Sequence, residues 1–338
     1  MHESVAGEVE TWLALLDGGF PPVQELSGAE ARALVAARAQ PIDNLDDADA
    51  EDREIPGPAG PIRVRIYRPR SAATSNNSET TAGTTRPGVL FLHGGGFVLC
   101  SIDSHDGFCR RVARHLDAVV VSVDYRLAPE HEAPAAAEDS YAALTWLAEH
   151  TGELGIDPAR LLTAGDSAGG NLAAVVALMA RDRRGPALAA QVLLYPCLAP
   201  DFTTASYRDY GVEHFNTQAA MEWYWRSYLG AQASATFPQG LAYPVQLVAP
   251  PLAEDLSGLP PAIVVTAGRD PLCDEARTYV TALREAGVST RHRHYPELFH
   301  GFITIGALGP AAAARDLLWS DIGALIGAPT DVPPRSNA

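Results

Sequence analysis

Between residues 88 and 300 the chain repeatedly places a short, unbroken apolar run where a buried strand would fit, then a stretch long enough for a helix. The runs are 89–92, 118–121, 161–162, 192–194 and 262–265, and helical patterns cover 107–115, 140–150 and 168–181. A strand that is apolar at every position has no face to offer water, so both of its faces need covers. That requirement is met by a mostly parallel central sheet flanked by helices on each side. The stretch 200–255 breaks the rhythm. It carries Met221, Glu222, Trp223, Tyr224, Trp225 and Arg226 among several prolines, and reads as an inserted, mostly helical excursion.

The first 40 residues read as two helices. Val5, Val9, Trp12, Leu13 and Leu16 recur at helical spacing, and Ser27 with Glu30 has the spacing of a capping box opening the second helix. Residues 53–55 and 62–67, separated by a Pro-Gly turn, alternate as a half-buried hairpin does. Residues 71–87, rich in Ser, Thr and Asn, are expected to form a surface loop of no chemical consequence.

Charge excludes some partners. With 25 Lys plus Arg against 41 Asp plus Glu, a net charge of -16, the surface repels phosphate backbones and anionic lipid, so neither nucleic acid nor membrane is an expected partner. No apolar run approaches the roughly 20 residues of a bilayer span. Cys100, Cys109, Cys197 and Cys273 are scattered, without metal or disulfide spacing. Together with a start that has no basic and apolar leader, they make a cytoplasmic location the expectation.

The chemistry centres on Gly165-Asp166-Ser167-Ala168-Gly169, which follows an apolar run and precedes a helix. A nucleophile elbow needs that context. The glycines let strand and helix approach closely, and the tight turn lifts the serine hydroxyl above the sheet. By itself the motif is weak, because any small-residue turn can match it. A hydroxyl also needs a base, and the base an orienting carboxylate, here expected in the order Ser, acid, His. Asp270 follows the run 262–265 and His300 follows the expected strand 291–295. Each has a plain alternative: Asp270 as the cap of the next helix, His300 as a packed core histidine. His292 and His294 compete for the base, but they alternate within a strand. His93-Gly94-Gly95-Gly96-Phe97 ends another strand, and its bare backbone N–H groups suit an oxyanion. The rival phosphate-cradle reading lacks the Gly-Lys-Ser/Thr ending.

These motifs, with Asp124-Tyr125-Arg126-Leu127-Ala128-Pro129-Glu130, Asp270-Pro271-Leu272 and His300-Gly301-Phe302, resemble the hormone-sensitive lipase family of esterases, within the α/β-hydrolase superfamily. The resemblance runs from about residue 55 to 325, supported by Ser104-His105-Asp106, Tyr195-Pro196 and 256–261. It implies an α/β-hydrolase fold with a helical cap, no metal and no cofactor. It implies Ser167 as nucleophile, His300 as base, Asp270 as its orienter, and an oxyanion hole from Gly95, Gly96 and Ala168, with His93 and Gly94 in the same motif. Family habit implies a homodimer. The expected organisation is a cap segment at 1–48, core at 49–199, a cap insertion at 200–255, core again at 256–328, and a flexible tail at 329–338.

Phe97, Phe215, Trp223 and Phe299 are the candidates for lining a substrate pocket, with Tyr224 and Trp225 of the insertion as further candidates. Packing within the cap explains the insertion's aromatics equally well. Arg126, Glu130, Asp139 and Asp166 are expected to brace rather than react. The chain departs from the family in the bulky stretch 296–299 before His300 and in Cys273. The implied activity is hydrolysis of short- to medium-chain acyl esters, a small-molecule substrate. Two alternatives remain open at this point. The same triad serves amidases and deacetylases, and some plant relatives on this fold only bind ligands, though without a complete triad.

Overall fold

The computed structural model of the protein describes residues 5–38, 41–70, 85–230, 237 and 239–327. The tail expected at 329–338 and most of the polar stretch at 71–87 lie outside the described residues. Arg86 and Pro87 do not belong to that loop but open a strand.

Eight strands form one sheet: β1 (Ala48–Ile55), β2 (Ile62–Pro69), β3 (Arg86–Leu92), β4 (Val119–Val123), β5 (Ile156–Asp166), β6 (Ala190–Leu194), β7 (Ala262–Arg269) and β8 (Thr290–Phe299). Their spatial order is β1-β2-β4-β3-β5-β6-β7-β8. The hairpin β1–β2 and the β2–β4 pair are antiparallel, and every pair from β4 onward is parallel. Ten helices are described: α1 (Val5–Gly19), α2 (Gly28–Ala36), α3 (Asp106–Leu116), α4 (Ala135–Glu149), α5 (Thr151–Leu154), α6 (Ala168–Asp182), α7 (Ala205–Tyr210), α8 (Gln218–Leu229), α9 (Cys273–Glu285) and α10 (Ala312–Ile326). The capping box at Ser27 and Glu30 opens α2 as expected. No described helix is long and apolar enough to cross a membrane.

The unbroken apolar runs resolve into two cores because side chains alternate across a strand. On one face Leu90, Leu92, Val121, Leu161, Leu193 and Val264 meet α4, α6 and α9. On the other, Val89, Phe91, Val120, Leu162, Val192 and Ile263 meet α1, α3 and α10 through residues such as Leu13, Phe108, Val112 and Trp319. Helix α6 is buried along residues 168–180, which explains why it reads as apolar all round.

Two strands are longer than the sequence pattern indicates. β5 begins at Ile156 because that residue pairs with Arg86, beyond an irregularity at Arg86/Gly88. β8 continues to Phe299, so 296–299 is strand rather than loop. The register shifts between Ala267 and Arg269, and Gly268, lacking a side chain, lets the Pro296 backbone come close. Along β8, the outermost strand, Arg291 and Arg293 share Asp321 of α10 at 2.6 to 2.9 Å. Charges on an edge strand also oppose pairing with another chain.

Two predictions test this packing. A Cβ at Gly169 would run into the Leu92 carbonyl, a backbone atom that cannot step aside, so Gly169→Ala is expected to cost about 3 kcal/mol in urea unfolding. Gly152, which has open space around it, should accept alanine without loss. Burial alone would raise the Asp321 carboxyl, but Arg293 and Arg291 hold it below its ordinary value. The stabilisation is therefore present above the ordinary carboxylate range and lost as pH falls. Asp321→Ala should cost about 1 kcal/mol near neutrality, because the arginines are partly exposed. The gap from wild type should close in unfolding curves below about pH 4.

Candidate active site

Strand register brings the chemistry together. His93 follows the last residue of β3, Ser167 that of β5, Tyr195 that of β6, Asp270 that of β7 and His300 that of β8. Because the strands are parallel and nearly level (Leu92 pairs with Gly165, and Asp166 with Leu194), these residues converge on one end of the sheet. The carboxyl ends of parallel strands are where open α/β sheets place their sites.

Ser167 sits at φ 54°, ψ -118°, a conformation that L-residues avoid. Such a residue costs on the order of 1–3 kcal/mol and persists only where its surroundings fix it. They do so here. The Ser167 N–H donates to the Leu194 carbonyl at 2.8 Å, and its own carbonyl accepts from Cys197 and Asn171 at 3.1 Å each. Gly165 and Gly169 lie so close to one another and to Leu92 that a side chain at either would strike backbone.

His300 Nε2 is 3.0 Å from Ser167 Oγ, and His300 Nδ1 is 2.7 Å from Asp270 Oδ2. All three are buried, Asp270 completely and Ser167 to 9% exposure. A carboxylate accepts only, so Nδ1 carries the proton and the Nε2 lone pair faces the serine hydroxyl. That orientation lets the imidazole take the hydroxyl proton. The other oxygen of Asp270 accepts the Leu272 N–H at 3.0 Å, so the residue also braces the turn into α9. Tyr195 packs edge-on against the His300 ring, with centroids 4.9 Å apart. His292 and His294 stay away from this relay, both bonded to Thr266 Oγ1 within the sheet.

The glycine loop folds against the elbow. Gly94 donates its N–H to Asp166 Oδ1 at 2.9 Å and so has none to offer a ligand. Gly95 at φ 114° and Gly96 at φ 59° take left-handed conformations that turn the loop back over the site. Among the described residues, the N–H groups of Gly95, Gly96 and Ala168 donate to no protein acceptor. His93 is fully buried; burial, then the nearby His105, push it down to about 3, and it stays neutral. It stacks on Tyr125, whose hydroxyl donates to the His93 carbonyl at 2.7 Å.

Of the pocket candidates, Phe215 and Trp223 are half-buried; Phe215 approaches Gly301, beside His300, to 3.8 Å from where a Cβ would stand. Phe97 and Phe299 present no surface. Phe97 stacks on Tyr228 at 3.9 Å and meets Trp225, while Phe299 lies in the core beside α10. Of the further candidates, Tyr224 of α8 lies against Gly96, with its ring where a Cβ would be, and Trp225 is buried against Phe97. The expected braces do brace. Arg126 grips the buried Asp139 with three bonds of 2.8–3.0 Å, and Glu130 pairs with Arg32 of α2, which also donates to the Val98 and Ala128 carbonyls.

Sequence reasoning missed Glu275. It is buried, burial pushes its carboxyl well up, and it accepts the N–H groups of Leu198 and Ala199, fixing the segment that follows Tyr195. An acid in the first turn of a helix looks like ordinary helix-end chemistry, so no pattern marks it as buried. Asn171 was missed too; its amide donates to the Val248 carbonyl and ties α6 to the segment that precedes β7.

Comparison with known proteins agrees with this architecture. A family model described as alpha/beta hydrolase fold matches residues 89–304. The carboxylic ester hydrolase LipN of Mycobacterium tuberculosis is 42% identical over 296 residues, covering 85% of this chain and 72% of LipN. The carboxylesterase NlhH of the same organism is 39% identical over 314 residues, covering 90% of this chain and 92% of NlhH. The solved structure of an esterase from Pyrobaculum calidifontis superposes with a TM-score of 0.80 at 38% identity, covering 93% of this chain and 98% of that one. The chain belongs to the α/β-hydrolase fold family, among relatives that fit the hormone-sensitive lipase-like carboxylesterases whose motifs it carries.

Proposed function

We propose that the chain is a carboxylesterase that works by acyl transfer through Ser167, His300 and Asp270. The observation that carries this reading is the continuous relay from Asp270 through His300 to Ser167 Oγ, at 2.7 and 3.0 Å, beside donors with no protein acceptor. His300 takes the hydroxyl proton as Ser167 Oγ attacks the ester carbonyl carbon. The carbonyl oxygen, now anionic, is held by the N–H groups of Gly95, Gly96 and Ala168. Collapse expels the alcohol, which leaves with the proton from His300. Water then attacks the acyl-enzyme with His300 again as base, releasing the acid and restoring Ser167. Preorganisation matters here: a loop already fixed by Asp166 and Tyr125 needs no rearrangement as charge develops.

The substrates are small-molecule esters with short to medium acyl chains. Helices α1 and α2 and the segment 200–255 act as a cap over the strand ends. Phe20 of the segment after α1 packs edge-on against Phe215 at 5.0 Å, and Asp17 accepts the Phe215 N–H. Tyr224 lies against the glycine loop and Phe215 beside Gly301, which supports a cap that limits the acyl group the site takes. All four cysteines are free thiols, which fits a cytoplasmic location.

Ser167→Ala should fold as the wild type does and hydrolyse p-nitrophenyl esters only at background, and labelling by a fluorophosphonate should vanish with it. Wild-type turnover in that variant would refute the mechanism. Asp270→Asn should leave KM nearly unchanged and lower kcat on the order of 10^3–10^4-fold, since the imidazole is then held in the wrong tautomer. Across an acyl series from acetate to palmitate, kcat/KM should peak at or below medium length. A maximum at palmitate would contradict the proposed cap.

A further inference from the structure

We propose that His105 is an imidazolium cation and a positioning residue, which fixes the oxyanion loop through the carboxylate of Asp166. The inference rests on the reading of the glycine loop as the oxyanion site and follows from counting hydrogens around one ring. The hydroxyl of Ser104 has a single proton, and it is given to the Ser101 carbonyl at 2.7 Å. The same oxygen accepts the Ser101 N–H at 3.0 Å. It therefore has only a lone pair left for His105 Nδ1, 2.9 Å away, so Nδ1 must carry a proton. On the other side of the ring, Nε2 lies 3.2 and 3.3 Å from the two oxygens of Asp166. That carboxylate already accepts the Gly94 N–H and can only accept again. Both ring nitrogens are donors, and an imidazole that donates twice is positively charged.

The surroundings are consistent with the charge. Burial alone would raise the Asp166 carboxyl, but His105 first, then the Gly94 N–H, hold it below its ordinary value, so it is the anion of the pair. His93, whose ring centroid is 5.7 Å from that of His105, is neutral and offers no competing cation. His105 and Asp166 are 8% and 5% exposed, so solvent does little to screen the pair. Asp166 is the residue immediately before Ser167, and Gly94 immediately precedes the two proposed oxyanion donors. One carboxylate thus spans the elbow and the loop, and His105 decides whether it stays charged and in place. Without the cation, the buried carboxylate would lose its countercharge and the loop its anchor.

The test has two independent arms. In wild-type protein labelled with 15N-histidine, with His105 assigned through the backbone, both ring nitrogens should be protonated near neutral pH. A single protonated nitrogen would overturn the proposal, whatever the enzyme does. In kinetics, His105→Gln keeps a donor toward Asp166 but not the charge. It should lower kcat for p-nitrophenyl esters about 10-fold to 100-fold, with KM within about twofold, as a displaced oxyanion loop would. Asp166→Asn should do the same. Wild-type kcat in both variants would overturn the positioning role while leaving the Ser167 mechanism intact. Turnover that survived Ser167→Ala would overturn the mechanism and leave the NMR result to judge the ion pair.

Discussion

The parallel register of five strands is the constraint on which the rest depends. None of His93, Ser167, Tyr195, Asp270 or His300 is near another in sequence, yet each is the first residue past a strand end. A slip of one residue in any pairing would move that side chain by a strand's rise, about 3.3 Å, and break hydrogen bonds of 2.7 and 3.0 Å. The two cores prevent such slips. Leu90 and Leu92 belong to one face and Val89 and Phe91 to the other, so a shift would exchange packed surfaces on both sides at once.

On that frame the elbow concentrates strain that the surroundings hold in place. Ser167 keeps its disfavoured backbone because β6 and α6 bond to it from opposite sides, and because two glycines remove every obstacle to the approach. The polar groups under the glycine loop add a second restraint. Asp166, Gly94, His105 and Ser104 form one bonded chain, and Tyr125 closes against His93. The site is assembled from backbone groups fixed by buried side chains, and few of its parts are free to adjust.

Much of this was legible in the residues. Unbroken apolar runs announced the sheet, and the glycine, serine, acid and histidine motifs marked its ends, because those positions demand particular residue types whatever their neighbours. The extent of β8 was not legible, since it depends on Gly268 admitting the Pro296 backbone from a different strand. Nor was the inward burial of Phe97 and Phe299. An aromatic beside a motif looks the same whether it faces ligand or core, and only the stacking partner Tyr228, 131 positions away by sequence numbering, decides for Phe97. Glu275 escaped for the same reason, because its partners Leu198 and Ala199 come from another crossover.

The contact between Tyr224 and Gly96 has a bearing on how such a protein can diversify. The described part of the segment 200–255 adds no strand to the sheet, yet its Met221, Trp225, Tyr228 and Val248 lie in the core that covers one face of it. Tyr224 meets the glycine loop itself, its ring filling the space that Gly96 leaves open. A graft that replaced this segment would inherit a hole over the loop unless it supplied an aromatic at the same height. Exchange of this segment is therefore constrained at several positions, because Tyr224 against Gly96, Tyr228 and Trp225 against Phe97, and the Val248 carbonyl bonded to Asn171 each join it to the core.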